Sequence, residues 1–342
     1  MLGVNVALSV ALIFFGSTCC IWSILRIAER YARGRFWMVC LPLALIGALP
    51  ELMMGIMANA RGLGIVAIGT PLGSSIINLL LLGGIASAIS PTRAHEPFPT
   101  KSAWAIAAAS ILVMAVAAMG RLQSQLGIYS IPRWGGLLLI AAFAAMTPLM
   151  RESNVGNGYS PRHTPKPKVH VLWLVLVLVA GAGLVTRGAS LTAKIALAYI
   201  ENSGSAQNAI GLIGLAAIAA LPEATASVYL ALHKQTATAF SNLMNSTIAN
   251  LLLILGIVAT VAPLPAYDSL PTDLGFTLLG ALLVLGAVAL GKGRRVSRGE
   301  GITLILLYAL FALLVLLRQE GSANLFFNSP HPSTRARLPK TT

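Results

Sequence analysis

The chain has 342 residues, of which 56% are hydrophobic and only 10% are charged. Soluble globular domains carry about 25% charged residues, so this composition excludes an ordinary soluble protein and predicts a polytopic helical membrane protein. The formal net charge of +14 does not indicate nucleic-acid binding, because Lys and Arg are dispersed between apolar segments, where they orient membrane spans. The sequence contains no phosphate-binding glycine loop and no HExxH motif, so we expect neither a cofactor nor enzymatic activity.

Ten apolar segments qualify as membrane spans, each of which needs about 20 residues. In chain order they lie near 3–25, 36–60, 63–90, 102–120, 134–150, 169–186, 208–232, 237–262, 274–291 and 301–317. The odd-numbered loops hold most of the Lys and Arg residues, which predicts that these loops are cytoplasmic and that both termini lie outside. We therefore expect an integral protein of a bacterial-type inner membrane, whose partners are lipid and small inorganic cations.

A polar segment at 151–168 divides the chain into two halves of five predicted spans each. Because five is odd, the second half enters the membrane upside down, as in many secondary transporters. The predicted fold is therefore all-α, with ten transmembrane helices arranged as two inverted five-helix repeats. The halves are 1–150 and 169–318, joined by a cytoplasmic linker, and 319–342 is predicted to be a disordered tail.

A repeat inside each half is the most informative feature of the sequence. The stretch 46–91 returns as 218–263 at a constant offset of 172 residues, without a gap. A carboxylate that recurs at one register in two hydrophobic segments indicates a two-fold repeated ion site. The identical matched pairs that carry this interpretation are Pro50/Pro222, Glu51/Glu223, Ser74/Ser246, Ile76/Ile248, Asn78/Asn250, Gly84/Gly256 and Pro91/Pro263.

Glu51 and Glu223 are the only acidic residues well inside the predicted spans. A charged side chain at mid-membrane is energetically costly, so it usually faces the bundle interior and serves function. Each glutamate follows a proline, which lacks an N–H and breaks the helix. The break deprives the carbonyls around Ile46 and Ile218 of a helical donor, and inside a bilayer these carbonyls need a partner. A cation is a suitable one.

The following span of each repeat supplies further oxygens. Ser74 and Asn78 are four residues apart and share one helix face, as do Ser246 and Asn250. Carboxylates, amide carbonyls, hydroxyls and backbone carbonyls together provide the 6–8 oxygens that Ca²⁺ prefers. A site that can change sides only when its two carboxylates are neutralised is expected to act as an exchanger rather than a leak.

The Leu-Pro-Glu motif, followed by Gly69-Thr-Pro-Leu-Gly-Ser-Ser-Ile-Ile-Asn78 and repeated in the second half, resembles the α-repeats of the calcium/cation antiporter superfamily, notably Na⁺/Ca²⁺ exchangers. The resemblance implies a ten-span antiporter that works by alternating access, with spans 1 and 6 sliding past a fixed core. It also implies a set of ligands for transported Ca²⁺ or Na⁺. These are Glu51 and Glu223, the side chains of Ser74, Asn78, Ser246 and Asn250, and the backbone carbonyls of Ala44 and Ala216.

Two departures from the superfamily's pattern leave the counter-ion open. Its Gly-Thr-Ser-Leu-Pro-Glu reads Ile46-Gly-Ala-Leu-Pro-Glu51 in the first copy and Ile218-Ala-Ala-Leu-Pro-Glu223 in the second, so the hydroxyl groups that would bind Na⁺ are missing. Asn250 also occupies a position that is often acidic. The first interpretation is Ca²⁺ exchange for Na⁺ or H⁺. The alternatives are proton-coupled exchange of Mn²⁺, Mg²⁺ or K⁺, and a membrane scaffold that transports nothing.

Overall fold

The computed structural model describes residues 2–31, 47–92, 98–124, 127–153, 170–203, 209–290 and 296–327, which are almost entirely helical. The helices in chain order are α1 (Leu2–Tyr31), α2 (Leu49–Ala60), α3 (Gly64–Ile89), α4 (Thr100–Gln123), α5 (Arg133–Ser153), α6 (Val171–Ser203), α7 (Ile210–Ala219), α8 (Leu221–Leu232), α9 (Thr236–Val261), α10 (Leu270–Leu290) and α11 (Arg298–Phe327). Two short antiparallel strands, β1 (Ser130–Ile131) and β2 (Leu264–Pro265), pair Ser130 with Pro265 and Ile131 with Leu264.

The described part of the chain contains seven helices that are long and apolar enough to cross a bilayer, namely α1, α3, α4, α6, α9, α10 and α11. The bent pair α7–α8 makes an eighth if it is counted as one span. The apolar part of α5, Arg133–Pro148, is shorter, and the predicted span 36–60 falls partly outside the described residues. The chain is thus an integral membrane protein, while the count of ten spans stays a prediction.

Two helices run further than the sequence indicated. The predicted span 169–186 ends too early, because α6 continues to Ser203. Its charged residues Arg187 and Lys194 lie on the exposed side, whereas Ala189 and Ala193 are buried, so the charges do not interrupt the packed face. Likewise α11 extends to Phe327, into the segment predicted to be a disordered tail.

Proline starts the two short helices that carry the glutamates. Pro50 and Pro222 lie in the first turns of α2 and α8, where a missing N–H is tolerated. Before them, Ala48 and Ala220 have nearly identical turn conformations, with φ/ψ of −81°/0° and −76°/4°. The axis bends by 55° between α7 and α8. The sequence prediction of a helix break at the proline is confirmed in this second copy.

Helices α3 and α9 form the centre of the described structure. In the apolar membrane-spanning segments of α3 and α9, 89% and 78% of the residues are buried, compared with 28% in α1 and 22% in α6. Both central helices contain a π-helical turn at the same register, Ile77–Leu82 and Ala249–Ile254. A third π-helical turn, Ile210–Leu215, begins α7. Such turns are rare and concentrate at functional sites.

Helices α1 and α6 pack closely through small residues. A Cβ built on Gly16 lies 2.7 Å from the Gly181 carbonyl oxygen, and one on Gly188 lies 2.7 Å from the Ser9 carbonyl oxygen. Gly16 and Gly188 are 172 residues apart, as are Ser9 and Gly181. The earlier residue of α1, Ser9, contacts the later residue of α6, Gly188, so the two helices run antiparallel. Equivalent positions therefore contact each other reciprocally.

The same reciprocity holds at the ends of the central helices. Gly84 of α3 packs against Gly301 of α11, with its built Cβ 2.7 Å from that carbonyl oxygen. Its counterpart Gly256 of α9 packs in the same way against Gly136 of α5, at 2.9 Å. Each half therefore contributes one helix that packs on the central helix of the other half.

Candidate cation site

Glu51 lies in the first turn of α2 and is fully buried, with 0% exposure. Ser74 of α3 donates a hydrogen bond to Glu51 Oε1 at 2.6 Å. The turn at Ala48 starts a new helix just before Pro50, so the carboxylate lies in the first turn of α2, against the buried Ser74 of α3. The first copy of the repeat therefore places its predicted acid and its predicted hydroxyl in direct contact.

The second copy reproduces this contact and extends it across the two halves. Ser246 of α9 donates to Glu223 Oε1 at 2.8 Å, and Glu223 is 3% exposed. The Ser246 hydroxyl in turn accepts a hydrogen bond from Asn78 Nδ2 of α3 at 3.3 Å. Asn78, Ser246 and Glu223 form a chain of hydrogen bonds that joins the first half of the protein to the second.

Several polar atoms around the two glutamates have no hydrogen-bond partner. They are Glu51 Oε2, Glu223 Oε2, Asn78 Oδ1, and both amide atoms of Asn250. Asn250 lies close enough to the Glu51 carboxyl to interact with it, and so does Glu223. Buried polar atoms in proteins are nearly always hydrogen-bonded, so four unpartnered oxygens in one place have the chemistry of a cation site.

Of the two backbone ligands that the resemblance implies, the structure describes only Ala216. Ala44 lies outside the described residues. Ala216 is fully buried in α7 and packs against Gly73, the residue before Ser74. A Cβ built on Gly73 would lie 2.8 Å from Ala216 Cβ. The Ala216 carbonyl accepts the N–H of Ala220 at 2.9 Å. A carbonyl oxygen has a second lone pair, so Ala216 retains the capacity to bind a cation.

Gly47 adds a contact that the sequence did not reveal. A Cβ built at Gly47 would lie 3.2 Å from Glu223 Cδ and closer still to Glu223 Oε1. The carboxyl group of the second half therefore rests directly on the backbone of the first half. The equivalent position in the second copy is Ala219, which carries the methyl group that Gly47 lacks.

A third buried acid lies at the start of a helix rather than well inside a predicted span, so it does not alter the expectation about Glu51 and Glu223. Asp273, in the first turn of α10, is 0% exposed and forms an ion pair with Arg318 of α11 at 2.7 Å. Burial, followed by the charge of Asp273, raises the pKa of the adjacent Tyr267 well above its ordinary value, so this phenol stays neutral. The sequence prediction missed Asp273 because it started that span one residue later, at 274.

The donor set restricts the chemistry of the site. Within the ranges the structure describes, no group of three His, Cys, Asp or Glu side chains is placed to hold a metal ion. The site instead combines two carboxylates with amide and hydroxyl oxygens, a set that suits hard cations such as Ca²⁺, Mg²⁺ or Na⁺ rather than zinc or copper.

Comparison with known proteins places this arrangement in a family. The sequence profile of the sodium/calcium exchanger protein family matches residues 2–150 and 169–317, which is most of the chain and includes both glutamates. The chain belongs to the sodium/calcium exchanger family. It is a cation exchanger of the membrane and not an enzyme.

Two relatives in sequence agree with that assignment. The chain is 27% identical over 285 residues to CaxA of Alkalimonas amylolytica, which carries the name of an antiporter, covering 78% of this chain and 83% of CaxA. It is 26% identical over 222 residues to the inner membrane protein YrbG of Escherichia coli K12, covering 63% of this chain and 66% of YrbG.

Solved structures of the sodium-calcium exchanger NCX_Mj share the fold of this exchanger. The structure soaked with Na⁺ and Sr²⁺ superposes with a TM-score of 0.63 at 21% identity, covering 91% of this chain and 98% of NCX_Mj. The structure soaked with Na⁺ in zero Ca²⁺ gives 0.64 at 22% identity, covering 90% and 97%.

Proposed function

We propose that this exchanger carries Ca²⁺ across the membrane in exchange for Na⁺ or H⁺ by alternating access. The ion would bind near mid-membrane between two inverted repeats. The observation that carries the proposal is the pair of buried glutamates, each bonded to a serine 23 residues later, and each with one unpartnered carboxylate oxygen. Two carboxylates bring the charge of the empty site to about −2, which one Ca²⁺ would neutralise.

The proposed ligands are the residues predicted from the repeat. Side-chain oxygens of Glu51, Glu223, Asn78 and Asn250 would bind directly, because these oxygens lack other partners. Ser74 and Ser246 hold the carboxylates by hydrogen bonds, and their oxygens are available to the ion as well. The carbonyls of Ala44 and Ala216 complete a set of the size that Ca²⁺ requires.

The inverted-repeat arrangement is supported by the contact between α1 and α6. Two equivalent helices that pack antiparallel through equivalent residues are related by a two-fold axis perpendicular to both. For helices that cross a membrane, such an axis lies in the membrane plane, and one half is then upside down relative to the other. The separate matches of 2–150 and 169–317 to the family support the same division into halves.

We further propose that the protein lies in a bacterial inner membrane with both termini outside. The uneven distribution of Lys and Arg between alternate loops supports the orientation. The description of YrbG as an inner membrane protein supports the location.

The lack of side-chain oxygens just before each Leu-Pro-Glu motif favours protons over Na⁺ as the counter-ion. The two residues before each Leu-Pro-Glu, Gly47-Ala48 and Ala219-Ala220, have no side-chain oxygen. A flanking Na⁺ would therefore find few ligands near the turns, whereas protons need only the carboxylates. The same consideration applies to proton-coupled exchange of Mn²⁺, Mg²⁺ or K⁺.

Flux measurements on the purified protein test these proposals. ⁴⁵Ca²⁺ uptake into proteoliposomes is measured with an outward Na⁺ gradient, with a proton gradient, and with neither. Uptake driven by one gradient identifies the counter-ion, and competition by unlabelled Mn²⁺, Mg²⁺ or K⁺ identifies the preferred cation. If no gradient drives uptake of any of these cations, the protein is not an exchanger of the proposed kind.

A further inference from the structure

Asn59 lies near the end of the short helix that carries Glu51. It follows Glu51 by two turns of α2, with Gly55 between them, so all three share one face of the helix. The Gly55 position packs on Val258 of α9, with its built Cβ 3.0 Å from Val258 Cγ2. This face of α2 therefore lies along the central helix of the other half.

The Asn59 amide makes two hydrogen bonds across that interface. Its Nδ2 donates to the carbonyl oxygens of Val258 at 3.0 Å and of Ala262 at 2.9 Å. An amide nitrogen carries two hydrogens, so both bonds form at once. The acceptors lie at the C-terminal end of α9, where the Val258 carbonyl also accepts the Ala262 N–H at 3.4 Å and Ala262 is the residue that follows the last helical turn. Asn59 is 7% exposed, so water does not readily replace it.

The second copy of the repeat has no such link. The residue equivalent to Asn59 is Ala231, which has no side-chain donor and packs with Ala86 and Ala239. The carbonyl equivalent to that of Ala262 belongs to Ser90, and it accepts a hydrogen bond from Thr236 of α9 at 2.6 Å rather than from α8. Only in the first copy, among the described residues, does the glutamate-bearing helix itself cap the opposite central helix.

We infer that Asn59 is a positioning residue that fixes the Glu51 carboxylate against the ligands of the second half. The inference rests on the proposed function of the site. Helix α2 has 12 residues and a length of about 18 Å. A tether at its end limits sliding and rotation along α9, and Glu51 moves with the helix. Asn59 thereby sets the distance from Glu51 to Asn250 without touching the ion.

The test compares Asn59→Ala with Thr236→Val in the full-length protein. Half-saturating Ca²⁺ is measured both in proteoliposome flux and by the increase in melting temperature that binding produces. Asn59→Ala is expected to raise half-saturating Ca²⁺ about tenfold, because it removes two hydrogen bonds that align a proposed ligand. Thr236→Val removes one hydrogen bond at the other end of α9 and is expected to leave half-saturation unchanged.

Each outcome has a separate meaning. If wild-type protein shows neither Ca²⁺ flux nor Ca²⁺-dependent stabilisation, the proposed function fails. If the wild type responds and Asn59→Ala only melts earlier, with unchanged half-saturation, Asn59 is merely structural and the inference is overturned. An equal shift in Thr236→Val overturns it too. Should Asn59→Ala not fold, Asn59→Ser, which keeps one donor, carries the test, and an unchanged half-saturation in that variant contradicts the inference.

Discussion

The two copies of the repeat, α2–α3 and α8–α9, make the same central contact in different surroundings. In both, a glutamate after a proline accepts a hydrogen bond from a serine 23 residues later, at 2.6 Å in the first copy and 2.8 Å in the second. Glu51 is tethered through Asn59, whereas Glu223 rests on the bare backbone of Gly47. The duplication therefore preserved the contact between glutamate and serine but not the other contacts around it.

That difference has a physical consequence for transport. A site built from two identical copies would hold its cation equally from both sides. Here the helix that carries the first carboxylate is tied to α9 by the Asn59 amide, whereas the second carboxylate joins a chain through Ser246 to Asn78. We therefore expect the two glutamates to be equally essential but their neighbours to be unequal.

The largest effect is expected from the glutamates themselves. Glu51→Gln or Glu223→Gln removes one charge and one ligand from the proposed site, so exchange should fall by more than about 100-fold, beyond what loss of an outer-shell partner produces. ⁴⁵Ca²⁺ flux measures it. Glu300→Gln is the matched control, because Glu300 caps the start of α11 by accepting from the Ser297 N–H at 2.6 Å and is not one of the proposed ligands. Full exchange in either site variant contradicts the proposed function.

The serines should distinguish the copies. Ser74→Ala removes one hydrogen bond to a carboxylate and should raise half-saturating Ca²⁺ about tenfold. Ser246→Ala also leaves the Asn78 amide without its acceptor, so its effect should be larger, at about 30-fold. Equal effects in the two variants, measured by the same flux assay, would mean that the hydrogen bond between the halves has no energetic role.

Gly47 and Ala219 offer a reciprocal exchange of side chains. Gly47→Ala forces a methyl group against the Glu223 carboxyl and should raise half-saturating Ca²⁺ about fivefold, since overpacking costs about 1 kcal/mol or more. Ala219→Gly adds no atom and should change half-saturation less than twofold, with a small loss of thermal stability from the added flexibility. If Ala219→Gly shifted half-saturating Ca²⁺ more than Gly47→Ala, the close approach of the Glu223 carboxyl to Gly47 would not matter for binding.

The smallest effect on transport is expected at Asp273. Asp273→Asn removes the charge that pairs with Arg318 and should lower the melting temperature by several degrees, because Arg318 loses the carboxylate that it bonds at 2.7 Å. Half-saturating Ca²⁺ should stay within about twofold of wild type, since this pair joins α10 to α11 outside the proposed site. A large shift in half-saturation with unchanged stability would place Asp273 in the ion path instead.

The parts of the candidate site that could be predicted from the sequence are those that recur in both copies of the repeat. Glu51 and Ser74 recur with their counterparts at one offset, and the structure brings each acid into contact with its serine. The helix break at Pro222 was predictable because proline has a single local effect. The Asn59 link was not, because its acceptors are backbone carbonyls that any sequence provides.

Parts of the fold were hidden for similar reasons. The length of α6 could not be predicted by hydropathy, because Arg187 and Lys194 are charged but lie on the exposed side of a continuing helix. The π-helical turns have no residue signature, because the sequence Ile-Asn-Leu-Leu-Leu-Leu is equally suited to an α-helix. Reciprocal packing of Gly16 and Gly188 required the angle between two helices, which no single segment specifies.

The π-helical turns in α3 and α9 determine where the length of these helices can change. In each, an N–H bonds the carbonyl five residues back, Gly83 to Asn78 and Leu255 to Asn250, so one residue is accommodated beyond α-helical need. Deleting one residue from either turn would leave a smooth, fully bonded α-helix. A one-residue insertion or deletion elsewhere in either helix, where no bulge absorbs it, would rotate everything downstream by about 100° and carry Gly84 or Gly256 away from its partner glycine. Such a change would separate the face that carries Asn78 or Asn250 from the face that packs on the other half, whereas a deletion within the π-helical turn would not.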